Sequence, residues 1–293
     1  MEDVQELHGE LTAERRREQT ARVQAGAYLL ELSLDWIVLR ASENIHHLLG
    51  ESHVTLIDEP LGRFVHSQAL HDLRNLFSRL SASTGIARAY RVRLTDDPDL
   101  FDIAFQQFGD RVVLEAAPSP PDGLGETLSA VGGLAAGLAG ETGAGLLEAA
   151  ARRMRALTAF DRVTLLLGDS KATSSRTGVP FRAGANASLS DDFPALVADS
   201  TAGAVPIFPR DDEDSVAAIA LLCAPSADRL AELGERGFAS TMRIPVTAGG
   251  MKIGEFRLAH TNRRQPSFEL HAAAELFAQM LALRLELDEA TNG

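Results

Sequence analysis

"YRVRLTDDPDLFDIAFQQFGDRVVLEAA", residues 90–117, holds three apolar alternations separated by two turns. Tyr90, Val92 and Leu94 alternate with arginines, and Phe101, Ile103 and Phe105 alternate with polar or small residues. "RVVLEAA" (111–117) completes the run, and the breaker-rich "TDDPD" and "FGD" separate the three. A period of two sends successive side chains to opposite faces, so the stretch reads as an antiparallel meander with one wet face. Upstream, "AYLLEL" (27–32) and "WIVLRAS" (36–42) read as two more strands. "ENIHHLLG" (43–50) reads as a helix closed by glycine, and "SQALHDLRNLFSRL" (67–80) as a longer helix. Strands, small helices, then a meander define an α+β sensor domain over residues 23–117. Before it, residues 1–22 form a helical extension with Val4, Leu7 and Leu11 on one stripe.

The bulk composition narrows the function. The chain has 293 residues and a net charge of -13, and its basic runs are short: Arg15-Arg16-Arg17, Arg152-Arg153 and Arg263-Arg264. A phosphate backbone would be repelled, which argues against nucleic-acid partners. A single cysteine, Cys223, excludes a disulfide framework and any multi-cysteine metal site, and fits a reducing compartment. No apolar run reaches the ~20 residues of a membrane span. The charged N-terminus lacks a signal-peptide core, so a cytoplasmic location is expected. The eight histidines show no metal-ligand spacing, and His46 and His47 are expected on opposite sides of a helix. "DDED" (211–214) lacks the alternation and bidentate glutamate of a calcium loop. No serine has an identifiable base, and no enzymatic activity is expected.

"PSPPDGLGE" (118–126) marks a boundary, and residues 118–157 read as a linker and one connecting helix. The glycines of "VGGLAAGLAGETGAG" have no following Gly-Lys-Ser/Thr, so they read as close helix packing and not as a phosphate loop. A second domain spans 158–293, with strands at "FDRVTLLLG" (160–168) and "KIGEFRLAH" (252–260). "PIFP" (206–209) sits among turn residues, and "SVAAIALL" (215–222) fits helix or strand. In "SADRLAELGERGFASTMRIPV" (226–246), a short helix leads through glycine into a strand whose Met242, Ile244 and Val246 alternate. The last helix, 267–290, carries two apolar stripes. One is Leu270, Ala274, Phe277, Leu281 and Leu285; the other is Ala273, Leu276, Met280, Leu283 and Leu287. One stripe covers its own sheet, and the other needs a partner helix. A homodimer interface is therefore expected at Leu276, Met280, Leu283 and Leu287.

The order of these elements resembles the photosensory core of bacterial phytochromes over nearly the whole chain. The matching stretches are "WIVLRASENIHHLLG", "ALTAFDRVTLLL", "ERGFASTMRIPV" and "ELHAAAELFAQMLALRLE". The resemblance implies a PAS domain followed by a GAF domain, each an antiparallel sheet flanked by helices, with long helices forming a dimer spine. It also implies a biliverdin site, of which few anchors remain. The attachment cysteine matches a position close to Leu11, and the histidine facing the pyrrole nitrogens matches Arg229. The propionate arginines match Gly203 or its neighbours and Cys223. A further histidine matches Ala259, with His260 following. Asp192, in "DDFPALV", is the retained aspartate, although it also suits a helix cap. The short stretch between Phe208 and Ser215 implies loss of the lasso that knots phytochromes.

The expected function is a non-enzymatic signalling module with no cofactor and a vestigial pocket around Asp192, Arg229, Cys223 and His260. It would act through protein contacts with a second copy and a signalling partner. Two alternatives remain open: a non-covalent biliverdin or other anionic small molecule held by Arg229, and the sensor part of a longer histidine kinase.

Overall fold

Two antiparallel sheets organise the chain, each with its own helices. The computed structural model describes residues 21–80, 85–121, 125–179, 181–182, 194–210 and 219–292. The first sheet has seven strands in the order β1-β10-β3-β2-β6-β5-β4. Its strands are β1 (Arg22–Gln24), β2 (Tyr28–Ser33), β3 (Val38–Ser42), β4 (Ile86–Val92), β5 (Phe101–Phe108), β6 (Arg111–Pro118) and β10 (Ala204–Phe208). The second sheet runs β8-β7-β12-β11-β9. It comprises β7 (Arg162–Leu167), β8 (Ser170–Ser175), β9 (Leu196–Val197), β11 (Ser240–Ala248) and β12 (Met251–His260).

The meander read from residues 90–117 is present as β4–β5–β6. Phe105 pairs with Leu114 and Ile103 with Ala116, so the apolar rows of neighbouring strands share one face. That face packs on the short helices α1 (His46–Leu49) and α2 (His53–Leu56) and on α3 (Ser67–Ser78). Leu30, Val38, Ile45, Leu56, Leu73, Ile103 and Leu114 form its core. Gly50 ends α1 in the left-handed region, at φ 76°, as the glycine closure requires. His46 and His47 do not diverge as expected. Consecutive helix residues differ by about 100°, and their exposed rings lie with centroids 3.9 Å apart, tilted by 43°.

The chain divides into two units: Met1–Ser119 with Ala202–Arg229, and Pro120–Thr201 with Leu230–Gly293. The second segment of the first unit corrects the sequence reading, which placed 202–229 in the second domain. "AVPIF" pairs with two strands at once. Val205 opposes Val23 of β1, while Ile207 and Phe208 oppose Ser42 and Ala41 of β3. The returning arm, residues 222–224, bonds the other edge of β1: Gln24 N–H reaches the Leu222 carbonyl at 3.0 Å, and Ala224 N–H reaches the Arg22 carbonyl at 2.6 Å. The excursion is therefore long enough to clasp β1 between its two arms, against the expectation of a lost lasso. Arg22, read as the end of a helix, is the start of this strand.

In the second unit the single connecting helix is two, α4 (Gly125–Ala136) and α5 (Gly143–Thr158). Each glycine costs a helix about 1 kcal/mol relative to alanine, and the break falls where Gly137, Gly140 and Gly143 cluster. Close packing explains Gly137, whose carbonyl accepts from Arg153 Nη2 at 2.6 Å. It does not explain Gly132 and Gly133, which face open space. Two more helices complete the unit, α6 (Ala227–Arg236), which straddles the division, and α7 (Phe268–Asn292). Among the described residues no helix is long and apolar enough to cross a membrane.

Candidate functional site

β11 and β12 are two-faced. Met242, Ile244, Val246, Phe256 and Leu258 are all buried, and β11 packs on α7 through this face. The alternate residues form rows on the opposite face: Val197, Thr241, Ala259 and Arg162 in one, Arg243, Arg257 and Thr164 in the next. Side chains fill this second face in two ways.

The first filling is apolar. Val197, Phe238 and Ala259 cluster with Leu233 of α6, and Phe181 packs against them. Arg162 lies over the Phe181 ring at 5.6 Å. Burial in this setting lowers the pKa of its guanidinium. The second filling is ionic. Glu255, 5% exposed, accepts from Arg243 Nη2 at 2.7 Å, Lys252 Nζ at 2.8 Å and Arg257 Nε at 2.6 Å. Burial alone would raise its pKa, but the three donors together hold it below the ordinary carboxylate value. Gly254 allows the close strand approach next to this cluster, because a Cβ there would meet the Leu166 carbonyl oxygen.

α6 has clear ends. Ser226 Oγ accepts the Arg229 N–H at 3.4 Å, a helix N-cap. Gly237, at φ 75°, ends the helix, with Phe238 N–H bonded to the Leu233 carbonyl at 2.9 Å. Arg229 is thus a partly buried residue of the first turn. Glu232 pairs with Arg236 at 2.7 Å.

Each expected site residue has its own local setting. Asp192 lies outside the described residues. Cys223 and Gly203, matched in sequence to propionate clamps, belong to the first unit instead. The Cys223 carbonyl accepts from Gln24 Nε2 at 3.2 Å, and the Gly203 carbonyl accepts from Ala25 N–H at 3.0 Å. β-pairing with β1 carries that whole segment onto the first sheet. His260 alternates with Ala259, so it points away from the apolar cluster. Its ring meets Phe160 edge-on at 6.1 Å, and its Nδ1 accepts the Asn262 N–H at 2.9 Å. Burial, with Arg264 and Arg176 adding to it, lowers the His260 pKa despite the opposing pull of Asp161. Asp161 is itself buried, and its Oδ2 accepts both the N–H (3.0 Å) and hydroxyl (2.8 Å) of Thr261. These bonds outweigh burial and lower its pKa.

The sequence reading missed Arg243, Lys252, Glu255 and Arg257. Their signal was the charge at alternate positions of "MRIPV" and "EFRLAH". Such alternation reads as a solvated face, and only the fold shows that this face is nearly dry.

Residues 24–119 match the model of the PAS fold. The whole chain is similar to bacteriophytochrome structures. Against the chromophore-binding domain of RpBphP3 from R. palustris, the TM-score is 0.73 at 19% identity, covering 92% of this chain and 96% of that one. The wild-type chromophore-binding domain of a Stigmatella aurantiaca phytochrome gives 0.70 at 21% identity, covering 90% and 95%. A longer structure of RpBphP3 gives 0.75 at 20% identity, covering 95% of this chain and 61% of that one. The fold is the PAS–GAF fold of these structures.

Proposed function

We propose that this chain is a non-enzymatic sensory and signal-transduction module that keeps the phytochrome architecture without a covalent bilin. It acts through contacts with a second copy and with a signalling protein. One observation carries the reading: the α6-facing side of the second sheet is occupied by the chain's own side chains, an apolar cluster beside a buried ion cluster. A planar pigment in that space would have to displace Phe181 and Phe238 and break the Glu255 ion pairs. Covalent attachment also needs a thiolate. Cys223, the only cysteine, is buried in the first unit, with its Sγ–H directed to the Ala224 carbonyl at 3.9 Å.

The second copy would dock on α7. Leu276, Leu283 and Leu287 are exposed on this helix, and Met280 between them is half-buried. Their spacing of four, three and four residues is that of a knobs-into-holes seam. A non-covalent anionic ligand is the second reading. It is favoured by the surplus of positive charge around Glu255, with Arg229 as its expected partner.

Expression of the full chain in cells making biliverdin separates these readings by absorbance. No red band after purification is the expected result. A band that survives dialysis but not denaturation would favour the non-covalent reading, and a photoconverting band would overturn the proposal.

A further inference from the structure

The back face of the first sheet, opposite its helices, carries a carboxylate that nothing above has used. Glu115, in the middle of β6, is 1% exposed. Its Oε2 accepts the N–H of Leu221 at 2.8 Å, and its Oε1 accepts the N–H of Leu222 at 2.7 Å. One β-strand away, Gln106 Nε2 donates to the Ile219 carbonyl at 2.6 Å. Residues 220–222 are irregular, so their peptide groups find partners on the sheet and not within a helix or hairpin. The next residues, 222–224, form one of the two hydrogen-bonded edges of β1. Glu115 thus fastens the arm that holds β1.

We propose that Glu115 is a pH-sensitive latch that fastens the 219–224 arm to the sheet through the Leu221 and Leu222 amides. The docked arm seals the carboxylate from water, which disfavours its charged form. The charged groups around it compensate only in part. Arg88 of β4 lies in the same cross-strand row, through Ala104. Asp102 of β5 carries the opposite charge one step along, while the acid on β2, Glu31, is already taken by Arg40 and Arg111. The 219–224 arm contributes no charge. Burial raises the Glu115 pKa to about 7; the two amide bonds and Arg88 pull it down but do not cancel the rise.

The sign follows from linkage. A carboxyl whose pKa is raised by docking favours the docked state most at pH below its free value of 4.5, and that preference is lost as pH rises through about 7. Release of the arm therefore becomes easier toward alkaline pH, over the window between those two values. The response loosens one edge of β1 without unfolding the helix-side core.

Amide hydrogen exchange of the full-length chain reads this directly, as the opening constant of the 219–224 amides after correction for base-catalysed intrinsic exchange. The expected opening constant rises about tenfold between pH 6 and pH 8. Glu115→Gln should remove that slope, because a carboxamide does not titrate and turns its NH2 group toward a backbone donor. Gln106→Ala should raise opening at every pH and keep the slope. A flat opening constant in the unaltered protein, or an unchanged slope in Glu115→Gln, overturns the latch; the first result needs no variant to fold.

Discussion

Glu255 shows what a single residue decides here. It pairs with both Arg243 and Arg257, whose side chains are 12% and 11% exposed. Removing the shared partner of a buried ion cluster costs about 3–5 kcal/mol. Glu255→Gln should therefore lower the unfolding free energy by that order in urea titration. Replacing Arg243, Glu255 and Arg257 together by apolar residues of similar volume should cost far less. Equal losses in the two variants would show that the cluster is not coupled in this way.

Among the elements, α7 separates structural burial from interaction most cleanly. Ala274, Phe277, Leu281 and Ala278 are fully buried, each large member contributing roughly 1.5–3 kcal/mol. Leu283 and Leu287 on the other stripe are 59% and 66% exposed. Side chains that exposed contribute little to the fold of one copy, so Leu283→Asp should change monomer stability by no more than about 0.5 kcal/mol. It should nevertheless shift the sedimentation coefficient from dimer to monomer. An unaltered dimer would place the interface elsewhere. Both stripes could be read in the sequence from periodicity alone. The division of α4 from α5 could be read less well, because glycine is tolerated in a helix and only packing decides where the chain breaks.

For the whole molecule, the excursion 202–229 matters most. β10 lies between β1 and β3 within the first sheet, and Glu115, Gln106 and Arg40 all bond to the excursion, Arg40 Nε reaching the Pro209 carbonyl at 2.8 Å. A fragment ending at Ser119 keeps the PAS-fold sequence but loses a strand and the partners of a buried carboxylate. Its thermal unfolding should be shifted well below that of the first unit in the intact chain, or absent. A fragment melting at the same temperature would show that the excursion is an accessory to the sheet.

The sequence by itself determined the two-sheet α+β order, the meander at 90–117, the glycine-closed helices and the two stripes of α7. These depend on periodicity and on φ-specific residues, which are local properties. That Cys223 is the single cysteine was equally legible. The tertiary structure alone decided that residues 202–229 complete the first sheet. It also decided that Cys223 belongs to the first unit, and that Arg243, Glu255 and Arg257 on β11 and β12 are mostly buried and not solvated. Strand partners distant in sequence and the dryness of a sheet face depend on what the rest of the chain places over them, and no local pattern records that.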